Sequence, residues 1–525
     1  MKQTTVIRWA AFLLAGLLLL TGCSTPAEPS DSDSDSSAAG TGGGAGTTVT
    51  TAASGSTGTA DTSGTETTPS SEATLPTDTE WKDAVQVTVA SLFCDNAVLQ
   101  QGKAVPVWGT GPDGKTVTVR FADQVKTATV SGGTWRVNLD PMTANSQNRP
   151  MYITMDDERI TVNRVLVGEV WLVNGQSNIT VPFYALGMDD QKKERAKGDR
   201  DSLRQFWVTQ DKSETPYTTI ADAKWAPCTA DSIADYSATG YYFASKLQER
   251  LGVPVGIITS AVGGTYLEQW LDTVSLIRDG LCNPQPGQVG KRSHYNAMIA
   301  PLMPYAIKGI VWYQGESNQL LEYRRAMYAK TFARYLEVYR AGFEDAELPV
   351  CQVQLPIFNS DKHWEALDGW APFRYVQMGI SRTQKNVYTA VTIDCGDAEN
   401  IHPVDKEPIG ERLMLLALRH VYGQDVEADS PVYRSHTVQG GTVTVTLDNV
   451  YSGLTVRGGT VTAARLKDAS GVWHEAVCRA EGNTLVFTAA GVTEPHGVSY
   501  CDENAPTASV FEQNGLPLAP FRAEW

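Results

Sequence analysis

A chain of 525 residues exceeds what one ordinary hydrophobic core organises, so two or three folded units are expected. A hydrophobic content of 42% excludes a wholly disordered chain. The formal net charge of -16 argues against a nucleic-acid partner.

The amino end is distinct from the rest. Lys2 and Arg8 precede an apolar run from Trp9 to Leu20, which ends in Thr21-Gly22-Cys23. Residues 1–23 read as an export signal, too short and wrongly flanked for a membrane span. Leu20-Thr-Gly-Cys23 has the form of a bacterial lipoprotein processing box, which makes Cys23 the lipidation site and the membrane, through that anchor, a partner; a plain secretory signal is the rival reading. The expected location is the bacterial cell surface. Residues 24–82 are mostly Ser, Thr, Gly, Asp and Pro, a composition that cannot repay the entropy of ordering. They read as a tether with a root-mean-square span of roughly 40 Å.

Beyond Cys23, seven cysteines (Cys94, Cys228, Cys282, Cys351, Cys395, Cys478 and Cys501) are scattered without CxxC spacing, so neither a disulfide framework nor a zinc site is indicated. Residues 83–165 alternate as short strands: 85–89, 105–108, 115–121 and 135–139, broken by turns such as Gly111-Pro-Asp-Gly114. An all-β domain is predicted there. From 166 to 425 strands alternate with helices, the pattern of a parallel sheet covered on both faces. A helix is expected over 237–251, stopping at Gly252, another over 322–342, and a third over about 408–422. Strands are expected at 165–173, 253–259, 307–313, 348–355 and 387–393. Residues 430–525 return to β patterning and are expected to pack on the rest, with the first β domain as one candidate face.

Four turns in the middle region follow predicted strands. Val170-Trp-Leu-Val173 runs into Gly175-Gln-Ser-Asn178, where Ser177 is the candidate nucleophile. The others carry Gly263-Gly264, Asn318 and His402. A parallel sheet gathers such turns at one edge, where α/β proteins place ligands. Together they make an ester-cleaving set. His402 takes the serine proton, and the N-H groups of Ser177 and of Gly264 or Gly263, with the side-chain amide of Asn318, face the oxyanion. Gln176, Gln314, Glu316 and Gln354 are expected to line or brace the pocket, with Trp270 and Trp312 close by.

These residues resemble the sialate O-acetylesterases, within the SGNH hydrolase superfamily. The resemblance rests on Gly168-Glu-Val-Trp with Gly-Gln-Ser-Asn178, Val262-Gly-Gly-Thr265 with Trp270, Tyr295-Asn-Ala-Met-Ile-Ala-Pro-Leu302, Trp312-Tyr-Gln-Gly-Glu-Ser-Asn318 and Ile401-His-Pro403. It extends through Leu92–Gln100 and Pro106–Gly109 to the closing 514–522, so it covers nearly all of 85–525. It implies an SGNH-type, flavodoxin-like parallel sheet between all-β regions, and removal of acetyl groups from sugar hydroxyls through an acetyl-Ser177 intermediate, without cofactor or metal.

In that family Asp stands two residues before the histidine, and in the wider superfamily three; here those positions are Asn400 and Glu399. Glu399 is the favoured group to orient His402, because a carboxylate fixes the tautomer and stabilises the imidazolium. Asn400, Asp397 and a backbone carbonyl stay open. The substrate reading is an acetylated glycan, with O-acetylated sialic acid ahead of acetyl xylan. A non-catalytic glycan-binding lipoprotein is the rival from another class. A metal-dependent deacetylase is disfavoured, since Asp394, Asp397 and His402 lack a second well-placed histidine.

Overall fold

The computed structural model describes residues 80–222, 224–281, 292–363 and 369–525. The expected signal with Cys23, the tether up to residue 79, and Cys282 lie outside the described residues.

The first part is β-rich: β1 (Val98–Gln100), β2 (Val105–Thr110), β3 (Thr116–Phe121), β4 (Gln124–Thr129), β5 (Thr134–Leu139) and β6 (Asn145–Met155). In β5 the period-two pattern places Trp135, Val137 and Leu139 inside and the residues between them outside. The strand expected at 85–89 does not form. Instead the Glu158 carboxylate accepts the N-H groups of Val85, Gln86 and Val87 at 3.1, 2.9 and 3.2 Å, wrapping that backbone round one oxygen and leaving Val85 exposed. A long-range carboxylate overrides the local alternation.

The next strand, β7 (Glu158–Gly175), is 18 residues long and runs across the boundary expected at 165. Its first half pairs antiparallel with β6. Its second half is the centre of the second sheet, flanked in parallel by β10 (Val255–Ala261) and β11 (Gly309–Tyr313). With β8 (Arg200–Trp207), β9 (Trp225–Cys228), β12 (Val350–Val353) and β13 (Val387–Ala390), the order is β9-β8-β10-β7-β11-β12-β13. All pairs along it are parallel except β9 with β8, so the edge departs from a purely parallel sheet.

Both faces of the sheet are covered. Along β7, Val170 and Leu172 enter a core with Phe332, Tyr335 and Leu336 of α3 (Glu322–Gly342) and Phe373 of α4 (Trp370–Thr383). The alternate residues Trp171 and Val173 enter a second core with Tyr241, Phe243 and Leu247 of α2 (Ala238–Leu251) and Leu413 and Ala417 of α5 (Glu407–His420). This explains the apolar second half of β7, which has no solvent face. The helix α2 starts at Ser237, whose side chain accepts the Gly240 N-H at 3.1 Å, an N-cap.

The carboxyl-terminal residues form two four-stranded antiparallel sheets over a core of Val443, Val445, Leu466, Phe487 and Val498. Val391 and Ile393, just past β13, belong to that core. Arg374 of α4 donates to the carbonyls of Glu503 and Asn504, both at 2.7 Å. The tail therefore packs on the β13 and α4 side of the parallel sheet. The six described cysteines are all free thiols.

Candidate active site

The Ser177 turn begins where β7 ends. Gly175 has φ +149°, and a Cβ there would lie 2.1 Å from the Tyr313 carbonyl oxygen, so no other residue fits between β7 and β11. The chain turns at Gln176 and Ser177 opens the short helix α1 (Ser177–Thr180). Ser177 is half-buried, with its flanking residues Gln176 and Asn178 fully buried. Opposite it stands the turn after β10. A methyl placed on Gly263 would lie 3.4 Å from the Ser177 Cβ, and Gly264 has φ +71°. Among the described residues, the N-H groups of Ser177, Gly263 and Gly264 donate to no acceptor. Unspent donors around a hydroxyl are what a developing oxyanion requires.

Beneath this turn lies a buried polar network. Gln314 donates to the Thr265 carbonyl at 3.1 Å and to Asn318 Oδ1 at 2.7 Å, and accepts from the Tyr328 hydroxyl at 2.8 Å. The outer amide atom of Gln176 is 3.0 Å from Gln314 Nε2 and 3.2 Å from Glu316 Oε2. Asn318, expected at the oxyanion, is turned inward: its Oδ1 accepts the Leu267 N-H at 2.9 Å and its Nδ2 donates to Glu268 Oε2 at 3.0 Å. Glu268 in turn pairs with the buried Arg324 at 3.2 Å. Its neighbours give Asn318 the role of a brace for the turn after β10. Gln354 lies at the same sheet edge, fully buried, and neither polar atom of its side chain has a partner among the described residues.

Trp270 and Trp312, expected beside the pocket, are wholly buried in the core. Trp270 Nε1 donates to Thr265 Oγ1 at 3.0 Å and Trp312 Nε1 to the Tyr328 hydroxyl at 3.2 Å. Both close their polar ends inside the protein, so neither offers a face to a sugar.

The loop of His402 is joined to the Ser177 turn by its neighbour. The Ile401 carbonyl accepts from Asn178 Nδ2 at 3.1 Å, so that one bond joins the residue after Ser177 to the residue before His402. Burial drives the imidazole pKa down to about 4, helped by the Lys406 ammonium, so the ring is a neutral base at ordinary pH. Its Nε2 is buried without a partner among the described residues.

The expected orienting carboxylate is not there. Glu399 is exposed, and its Oε1 accepts from Asn359 Nδ2 and Lys362 Nζ, each at 3.1 Å. The turn that carries it points its side chain outward, toward solvated partners. Asn400 Oδ1 accepts the backbone N-H of His402 at 2.9 Å, and Asp397 Oδ1 that of Glu399 at 2.8 Å. Asp394 is held by Arg412 through two bonds of 2.6 and 2.7 Å. None of these side chains reaches the imidazole. Two residues that sequence reasoning missed lie closer: Asn178 and Lys406. Lys406 Nζ donates to Asn178 Oδ1 at 2.5 Å, and Asn178 Nδ2 donates to Glu316 Oε1 at 2.6 Å.

Known proteins resemble this chain. The family described as carbohydrate esterase, sialic acid-specific acetylesterase, matches residues 167–406. The sialate O-acetylesterase of Pongo abelii is 31% identical over 378 residues, 64% of this chain and 71% of that enzyme, and the Homo sapiens enzyme matches to the same extent. The crystal structure of a carbohydrate acetylesterase from Xanthomonas citri superposes with a TM-score of 0.78 at 32% identity, covering 84% of this chain and 100% of that one. The chain belongs to the sialate O-acetylesterase family. It is a carboxylic ester hydrolase of the carbohydrate esterase group, and the family match spans the whole stretch from β7 to Lys406, including Ser177, Gly263, Gly264 and His402. The rival non-catalytic reading is disfavoured by this membership.

Proposed function

We propose that this sialate O-acetylesterase family member removes O-acetyl groups from sialic acids, with Ser177 as nucleophile and His402 as general base. Neutral His402 takes the Ser177 proton as Oγ adds to the acetyl carbonyl carbon. The N-H groups of Ser177 and of Gly263 or Gly264 stabilise the oxyanion, and His402 returns the proton to the departing sugar oxygen. Water then attacks the acetyl-serine by the same route, releasing acetate and restoring the serine. The observation that carries this reading is the half-buried Ser177 beside unspent N-H groups, tied through Asn178 to the residue before His402. We read the sheet as SGNH type, because β10-β7-β11-β12-β13 follows the flavodoxin-like order.

The Xanthomonas citri relative is named only as a carbohydrate acetylesterase, which supports a second reading in which the acetyl group sits on another glycan, acetyl xylan among them. The test is hydrolysis of 4-nitrophenyl acetate, then of O-acetylated sialic acid beside acetylated xylan, by the parent protein and Ser177→Ala. The parent is expected to prefer the sialic acid, and the variant to lose roughly 10⁴-fold or more in kcat. A Ser177→Ala protein as active as its parent would end the serine mechanism. Preference for xylan would move the substrate to the second reading.

A further inference from the structure

We infer that Lys406 is a positioning residue, which through the carboxamide of Asn178 holds the Ser177 turn and the His402 loop in register. The inference rests on the Ser177–His402 reading above.

Lys406 is fully buried, where a lysine is uncommon. Its ammonium donates to Asn178 Oδ1, and the other end of the same carboxamide donates to Glu316 and to the Ile401 carbonyl. Both N-H bonds of the amide are thus used, on different elements. An asparagine amide is nearly the same shape when turned over, so shape alone does not fix which end faces which neighbour. Here a cation stands at the oxygen and a carboxylate at the nitrogen. Turning the amide over would set its oxygen against the Glu316 carboxylate and the Ile401 carbonyl, and its N-H groups against an ammonium. The opposed charges choose the orientation that reaches Ile401, and so place the backbone leading into His402. Because Asn178 is the residue after Ser177, one side chain fixes both reacting residues.

The surroundings of Lys406 fit this role. Glu316, Cys395 and Asp405 act on its charge, the Tyr313 ring centroid lies 5.4 Å from Nζ, and the ammonium acts on the imidazole of His402. Burial draws the lysine pKa down to about 7 and pushes that of Glu316 up, while each charge favours the charged form of the other. Two buried charges gain little stability over apolar groups of similar volume, and these two meet only through the Asn178 amide, which leaves its orientation as their contribution.

The test is Lys406→Met, which keeps the length and removes the charge and the donor. It is assayed with 4-nitrophenyl acetate for kcat, KM and the pH dependence of kcat/KM, beside the parent and Ser177→Ala, with thermal unfolding measured for each. The expected result is a fall in kcat of about 10²-fold, the scale of a small misplacement of reacting groups, with KM little changed. The acid limb of kcat/KM moves to higher pH, because the ammonium that opposes imidazolium formation has gone. A role in stability alone would not move that limb. A folded Lys406→Met with parental kcat and an unmoved acid limb overturns the inference. Should that variant fail to fold, Asn178→Asp serves: it keeps an acceptor for Lys406 but sets oxygen against Glu316 and Ile401. It should show the same loss in kcat, and parental kcat there overturns the inference equally. If Ser177→Ala retains activity, the catalytic reading itself has failed. If Ser177→Ala is inactive while Lys406→Met is parental, only the positioning role has failed.

Discussion

The turn that carries Ser177 and the loop that carries His402 are held in place in different ways. Ser177 leaves a strand paired on both sides, through a glycine that the neighbouring carbonyl permits no side chain. His402 sits in an irregular loop in which two polar side chains, Asp397 and Asn400, cap the loop's own backbone. The sheet therefore places Ser177, the proposed nucleophile, whereas His402, the proposed base, depends on a few bonds from other elements, Asn178 to the Ile401 carbonyl among them. A rigid scaffold and a loop set against it are a common division of labour in hydrolytic sites. The loop is the half in which small changes alter chemistry without altering the fold.

Substitutions can break that contrast from either side. The largest effect is expected on the scaffold side. Gly175→Ala forces a Cβ against the Tyr313 carbonyl at a φ that L-residues avoid, and should lower stability by about 3 kcal/mol or more together with activity. A denaturant midpoint equal to the parent's would show that β7 and β11 have room to part. On the loop side, the pH profile sharpens the comparison. His402 titrates at about 4 in the fold against about 6.5 when unfolded, so kcat/KM should persist well below pH 6 and fall near pH 4. The buried His294 is lowered to about 4 as well. Between these values the unfolded chain binds more protons than the folded one, so the contribution of both histidines to stability decreases as pH falls from 6.5 toward 4. Urea midpoints at pH 7, 5.5 and 4.5, in the parent and in His402→Gln, check the sign; a variant whose slope matches the parent's would contradict it. The smallest effect is expected at Glu399→Gln. Its pairing with Lys362 is exposed and screened by solvent, so stability should hardly change and kcat should stay parental. A large loss of kcat would place the carboxylate back beside the imidazole.

What the sequence discloses follows the same contrast. The strand-end glycines and Ser177 are legible because apolar runs that stop at small residues are local patterns, and α3 matches its expected span of 322–342. Other features depend on partners far along the chain. Counting back from His402 suggests Glu399, but its turn faces Lys362 instead. Trp270 and Trp312 stand beside strand ends in sequence, yet their indole N-H groups find Thr265 and Tyr328 in the core. The alternation at 85–89 yields to Glu158, and Asn318 to Glu268. Lys406 escapes notice for a related reason: a lysine is expected at the surface, and no local pattern marks one that is buried against an asparagine over two hundred residues away.

The 18-residue strand β7 belongs to two layers at once, pairing with β6 at its start and with β10 and β11 at its end. At about 3.3 Å per residue it spans roughly 60 Å as one piece of backbone. Neither layer can melt without stripping partners from a strand the other layer needs, so the β-rich first part and the catalytic sheet are expected to lose their order together, as a single denaturation transition. The β-rich part is thereby a condition of the esterase's folding, and a gene cut at residue 166 would leave the serine strand without its root.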